Sequence, residues 1–519
     1  MNGHLFQEDD FVRRTSSASV RRNGAAKRGV AGAAAIALAL GLSASPANAA
    51  ETELPGLVKI GKVRKHLENL NTIAEYNGGN RAHGTAGYDV AAKYVVDQLK
   101  RAGYKPERNE YEFESWVERT TPEFAQTKPE ARDFANGEDF LTMRYSTSGD
   151  VTAPGVPVNA DSNASGCAAA DYAGFPKGAV AVVKRGTCLF AEKEKFAAEA
   201  GASALVVFNH GATSDPADTG PVNGDLSATS TIPVVGATPE VGKALVDAGE
   251  ALELRVKVDS EVVSDTGYNI VAETSTGKKD NVVVVGAHLD SVEEGPGIND
   301  NGSGTAAVLE TAKQLPKLGK QKNRVRFAFW GTEELGLIGS TEYVENLTQA
   351  QRDKIALYLN FDMIGSNNYA RQIYDGRGEL DGSVPPPSGS AAIQKLFEEY
   401  YDGRGLPHEP TEFSGRSDYS GFMNAGIPSG GLFSGADAIK TEEQVAKYGG
   451  TAGKPLDPYY HSAEDTLENI NWTIADDMTD AMANSVETYA DSTLPVNGVL
   501  RTKEARTVEF DRRADHWLR

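Results

Sequence analysis

Cysteine, tryptophan and methionine are scarce in this chain of 519 residues, at 2, 4 and 6 copies, and cations are outnumbered: 52 Lys and Arg face 73 Asp and Glu, a formal net charge of −21. The deficit of positive charge argues against nucleic acid as a partner, because phosphate binding needs a basic footprint that the chain does not show overall. An acidic, solubilising surface accounts for it. Neither cysteine has a second Cys or a His at zinc-finger spacing, which leaves no basis for a structural metal there. No G-x-S-x-G elbow occurs, which disfavours serine chemistry, and no H-E-x-x-H, which leaves a helix-borne one-zinc protease unsupported. A membrane span is missing too: the apolar stretch from Gly29 to Leu42 falls short of the roughly 18 to 20 residues needed to cross a bilayer.

That short stretch belongs to a different pattern. Arg13, Arg14, Arg21, Arg22, Lys27 and Arg28 form a basic leader before it, and "ANA" at Ala47 to Ala49 fits a small-residue cleavage site. The expectation is an export signal over residues 1–49, a mature protein starting near Ala50, a secreted, extracellular location, and no membrane association after cleavage. In an oxidising destination the two cysteines pair in one way only, Cys167 with Cys188. Such a bridge closes a loop of about 20 residues and contributes roughly 3 kcal/mol.

The length divided by about 150 residues per domain gives roughly two or three units. "LVKIGKVRKHLENLNTIAEY" and "AGYDVAAKYVVDQLKRAGY" carry apolar residues at helical spacing, and "YKPERNEYEFESW" alternates as a strand does. From 128 to 260 the texture changes to short β-like runs separated by Gly, Pro, Asn and Asp, with one helical pattern at "FAEKEKFAAEAGA"; this predicts a small β-rich insert with its own core. After Gly267, strand and helix patterns alternate with short connections, which predicts a mostly parallel sheet flanked by helices on both faces. Ligands of such sheets sit beyond the carboxyl ends of the strands.

The polar residues at those ends form a set. The strand "NVVVVGAHL" ends in His288 and Asp290 and is followed by Asp300; "NRVRFAFWG" leads to Glu333 and Glu334; "IALYLNFDMIG" carries Asp362; and the later loop "DPYYHSAEDT" holds Tyr460 and His461. Two imidazoles and three carboxylates make a mixed N/O donor set suited to zinc, and two ions about 3.5 to 4 Å apart can share one carboxylate and one water. On this reading His288, Glu334, Asp362 and His461 are terminal ligands and Asp300 bridges. Asp290 is an outer partner of the His288 imidazole. Adjacent Glu333 and Glu334 cannot easily bind one metal from a strand end, so one of them is free to act as a general base.

"HLDSV…GPGINDNGSG", "WGTEELGLIGS", "NFDMIGS" and "YHSAEDT", in that order, resemble the motifs of two-zinc aminopeptidases of the secreted leucyl-aminopeptidase and aminopeptidase Y type. The stretch from Gly166 to Asn209 resembles the protease-associated domain inserted in many secreted peptidases. The resemblance implies a peptidase fold over 50–127 and 261–493 and a non-catalytic insert over 128–260; the stretch over 494–519 is more charged, loses the pattern of the fold and reads as a C-terminal extension. It also implies two Zn2+ ions on the five ligands, Glu333 as the base, Tyr460 as a hydrogen-bond donor to the oxyanion, and peptide or protein N-termini as substrate. "GRSDY" places Arg416 near the substrate, and "GGLFSGAD" offers Phe433 to the pocket. Asn301 stands where some relatives have an aspartate. Other functions of the fold are a glutaminyl cyclase, expected to lack the full ligand set; a carboxypeptidase, expected to show an arginine cluster beside the motifs; and a non-catalytic relative that has lost ligands. Remaining histidines, His66, His83, His210, His408 and His516, are expected on surfaces or loops.

Overall fold

The computed structural model describes residues 53–211 and 216–498. The expected export signal and most of the C-terminal extension lie outside the described residues. The principal sheet has eight strands: β1 (Glu107–Glu118), β2 (Ser260–Glu273), β3 (Lys278–His288), β4 (Asn323–Trp330), β5 (Ile355–Phe361), β6 (Gln372–Tyr374), β7 (Glu409–Thr411) and β8 (Ser429–Phe433), in the order β1-β2-β4-β3-β5-β8-β6-β7. The central four, β4, β3, β5 and β8, are parallel, while β1, β2 and β6 run antiparallel to their neighbours in the body of the sheet. The parallel expectation therefore describes the centre, and the margins are mixed.

Alternation along β3 explains why the centre is buried on both sides. Val283 and Val285 pack with Phe327, Leu357 and the helices Ile60–Tyr76, Ala86–Arg101, Gly304–Gln314 and Trp472–Asp491. Val282 and Val284 pack on the other face with Trp330, Tyr358 and Phe422. Each face gains apolar burial worth about 25 cal/mol per Å2, and a run of four valines satisfies both at once.

β1 and β2 pair antiparallel along their whole shared length, Glu107 opposite Val271 and Glu118 opposite Ser260. The insert thus leaves from the end of one strand and returns at the start of its partner. Its own eight-stranded sheet begins at Glu123, upstream of the change in texture at 128, because "EFAQTK" continues the alternation of β1 and conceals the turn at Thr120–Pro122. Helices Phe190–Glu199 and Pro239–Asp247 cover its two faces, the first on Ala181, Val183 and Leu205, the second on Val180, Val182 and Val206. Cys167 and Cys188 are bonded, with Cα atoms 5.8 Å apart. No described helix is long and apolar enough to cross a membrane.

One expectation about histidine fails. His66 is buried, not superficial: its ring lies 2.6 Å from the Tyr94 hydroxyl, 3.1 Å from Glu310 and 3.0 Å from Lys313. Its place beside Leu67 and three residues after Val63 puts it on the apolar face of its helix. His83 is also mostly covered, against Asp265 and Phe113, and His516 lies outside the described residues.

Candidate active site

Side chains that arrive from separate strand ends meet in a cavity of about 190 Å3 lined by Asp300, Glu333, Glu334, Asp362, Tyr460 and His461 among others. His288 closes β3 behind these residues, buried to 1% exposure. Its Nε2 lies 3.1 Å from Asp300 Oδ1, 3.3 Å from Asp362 Oδ1 and 3.9 Å from Glu333 Oε2. His461 Nε2 lies 3.3 Å from the other oxygen of Asp300 and 3.0 Å from Glu334 Oε2. Asp300 therefore stands between two groups, His288 with Asp362 and His461 with Glu334. Ligand atoms of His288, Asp300 and Glu334 fall within 4.8 Å of one another, as do those of His288, Glu333 and Asp362.

The electrostatics of so many acids in one buried place are unfavourable without cations. Burial, with Asp300 beside it, pushes the Glu334 carboxyl up to about 7. Burial, with Asp418, Asp362 and Glu334 around it, drives Glu333 well above the usual carboxylate range against the pull of His288. For the imidazoles burial opposes the charge, yet Glu333 and Asp362 raise His288 well above its ordinary value, and Glu334 with Asp300 raises His461 to about 10. Several buried carboxylate oxygens also lack a hydrogen-bond partner: Glu334 Oε1, Asp290 Oδ1 and both oxygens of Asp418. Orphaned acceptors of this kind are rare in folded interiors, and Glu334 Oε1, together with Asp300, Asp362 and the two imidazoles, belongs to the N/O donor chemistry that divalent zinc takes. The residues present fit zinc.

Asp290 departs in detail from its expected contact. The ring of His288 is 3.2 Å from the backbone carbonyl of Asp290 and 3.6 Å from its carboxylate, so the main chain makes the closer contact. The other carboxylate oxygen accepts the Glu334 backbone N–H at 3.2 Å, coupling the two loops. Tyr460 stacks on His461 with centroids 3.8 Å apart, and its hydroxyl is 3.4 Å from Arg416, whose guanidinium is paired with both oxygens of Asp437 at 3.2 Å. Arg416 and Phe433 both line the cavity.

The backbone is bent to make these approaches. Thr332, Leu337, Met363 and His461 have φ between 49° and 61°, four of seven non-glycine residues in that region among those described, and all lie on the loops that carry Glu333, Glu334, Asp362 and His461. Each such conformation costs on the order of 1–3 kcal/mol and persists where surrounding structure enforces it. At Gly304 the helix after the Asp300 loop starts so close to β5 that a Cβ would sit 2.1 Å from the Phe361 carbonyl.

Sequence reasoning missed the residues that enforce it. Asp465 accepts the backbone N–H groups of Asn299 and Asp300 at 2.7 and 2.9 Å, tying the Asp300 loop to the His461 loop. Asn301 donates to the Phe361 carbonyl and accepts from Gly304 N, a tie between β5 and the helix. Ser417 donates to Asp362 at 2.6 Å. Arg81 is wholly buried and donates to the carbonyls of Leu289, Pro296 and Gly297, holding the acidic turn from inside. The run "GNRAHG" contains this arginine but no pattern that points to its partners.

The fold and this donor set are those of a metal-dependent hydrolase. The model of Peptidase family M28 matches residues 269–486, and the PA domain model matches 151–245. An aminopeptidase of Pseudomonas aeruginosa is 46% identical over 435 residues, 83% of this chain and 81% of that one. A probable lipoprotein aminopeptidase, LpqL, of Mycobacterium tuberculosis is 44% identical over 84% and 85% of the two chains, and probable leucine aminopeptidase 2 of Aspergillus fumigatus is 39% identical over 89% and 90%. Among solved structures, the aminopeptidase from Aneurinibacillus sp. strain AM-1 superposes with a TM-score of 0.66 at 26% identity, over 84% of this chain and 94% of that one. The chain belongs to peptidase family M28.

Proposed function

We propose that the protein removes the N-terminal residue of peptides using two zinc ions, one held by His288 and Asp362, the other by Glu334 and His461, with Asp300 shared. The enzyme class itself, a metallo-aminopeptidase hydrolysing peptide bonds, follows from the family and from relatives bearing that name at up to 46% identity. One observation carries the two-ion reading. Asp300 presents separate oxygens to His288 and His461, at 3.1 and 3.3 Å, the disposition a bridging carboxylate requires.

Ions bound there would polarise the scissile carbonyl and acidify the attacking water. Glu333, next to the ligand Glu334 on one loop, takes the proton of that water and delivers it to the departing amine. Two divalent cations beside Glu333 would offset the burial and the neighbouring acids that raise its pKa in their absence, leaving it an ionised base. Tyr460 donates its hydroxyl to the developing oxyanion. Burial drives its pKa well above the ordinary phenol value, so the proton needed for donation is present at neutral pH. Asp290 fixes the orientation of the His288 ring and of the Glu334 loop. Arg416 and Phe433 shape the end of the cavity that receives the first side chain. The bonded pair Cys167–Cys188 supports an oxidising, extracellular compartment.

The test is a panel of aminoacyl amides and peptides with free and blocked N-termini, assayed with and without a chelator. Cleavage confined to free N-termini and abolished by the chelator is expected. Cleavage of blocked peptides would move the reading to an endopeptidase or carboxypeptidase, and cyclisation of an N-terminal glutamine without hydrolysis would move it to a cyclase.

A further inference from the structure

The cavity is not built by the peptidase domain alone. Arg144 and Asp225, both from the insert, line it together with Glu333, Glu334 and Leu337. Arg144 is pinned by its backbone, which donates to Gly224 O at 2.9 Å and accepts from Leu226 N at 3.1 Å. Its side chain crosses to the peptidase domain and donates from Nη2 to the carbonyl of Leu335 at 3.1 Å, immediately after the Glu333–Glu334 pair. The insert therefore delivers a cation to the same loop that carries the proton-transferring glutamate.

Two arginines line the cavity, and they differ in how fully they are used. Arg416 spends two N–H groups on both oxygens of Asp437, a bidentate pair that neutralises it. Arg144 makes one side-chain hydrogen bond, to a neutral carbonyl, and a long ion pair with buried Asp225 at 3.8 Å from Nε, longer than a hydrogen bond. A guanidinium has five donors, and this one retains both charge and capacity at 28% exposure. A guanidinium held this loosely beside the cavity can take an anion of the ligand.

The position says which anion. The departing amine has to lie within about 3 Å of Glu333 to receive its proton, and Arg144, held on the carbonyl two residues along that loop, lines the same cavity, so a chain leaving Glu333 toward the insert passes it. At about 3.3–3.6 Å per extended residue, a guanidinium on that loop meets the chain one or two residues beyond the scissile bond. We propose that Arg144 binds the C-terminal carboxylate of di- and tripeptides, so that the insert makes the enzyme favour short peptides with a free acid end. This rests on the aminopeptidase reading above.

The experiment measures kcat/KM for Leu-Leu, Leu-Leu-Leu and a leucine-initiated hexapeptide, each as the free acid and as the C-terminal amide. Acid is expected to exceed amide by about tenfold at length two or three, chiefly through KM, and to equal it at length six. In Arg144→Ala the short-peptide ratio should fall to near one, and in Arg144→Lys to an intermediate value. Because each ratio is taken on one preparation, partial misfolding of a variant cancels. Equal rates for acid and amide at every length, or a preference that survives Arg144→Ala, would overturn the proposal alone. Failure to cleave any peptide with a free N-terminus would overturn the aminopeptidase reading with it.

Discussion

Glu334 and His461 stand 3.0 Å apart, Oε2 to Nε2, on loops that are remote in sequence. Without a metal both hold protons that a ligand has to give up, Glu334 with a pKa near 7 and His461 near 10. Zinc binding at neutral pH therefore releases protons, and apparent affinity falls as pH drops through 7 because Glu334 is then protonated. Calorimetric titration of chelator-stripped protein in buffers of different ionisation enthalpy reads this directly. Net proton release that grows toward acid pH is expected.

Glu333→Gln should lower kcat by roughly 10²- to 10⁴-fold, the usual contribution of a general acid–base group, while zinc content stays at the wild-type level. Near-normal kcat in this variant would remove Glu333 from the mechanism.

Arg81 has no exposed surface and satisfies three carbonyls of the turn before Asp300. Arg81→Met strands those acceptors, and each buried unpaired group costs about 1–3 kcal/mol. The expected loss is a few kcal/mol in denaturant unfolding together with weaker zinc retention. Unchanged stability would show that water replaces the guanidinium without penalty.

The second buried cluster supplies a pH effect outside the site. Burial opposes ionisation of Glu310, yet hydrogen bonds from His66, Lys313 and Gln314 hold its pKa at about 2. A depressed carboxyl stabilises the fold above its unfolded pKa of about 4.3 and loses that contribution as pH falls toward 2. The stability gap between wild type and Glu310→Gln should thus be largest above about pH 5 and shrink between 4 and 2. A gap that widens with acid would reverse the sign and refute the assignment.

What sequence made legible was whatever lay at the end of a patterned strand. The valine run of β3 announced a buried post, and His288, Glu334 and Asp362 follow from where such posts stop. His461 came from a loop whose own motif drew notice, and the structure brings it to Asp300. Illegible were residues whose role is to hold a main chain they do not follow. Arg81 acts on Leu289 to Gly297, Asp465 on Asn299 and Asp300, and Arg144 on Leu335, each across a gap that no periodicity spans. His66 was legible and overlooked, since its helix position marks it as inward.

A carboxylate shared by two ions makes turnover depend on both, so zinc content against activity is the decisive measurement for Asp300. Chelator-stripped protein titrated with zinc, followed by metal analysis and leucine anilide hydrolysis, should reach full activity only at two equivalents per chain, and Asp300→Asn should hold fewer and be inactive. Full activity at one equivalent would contradict the account.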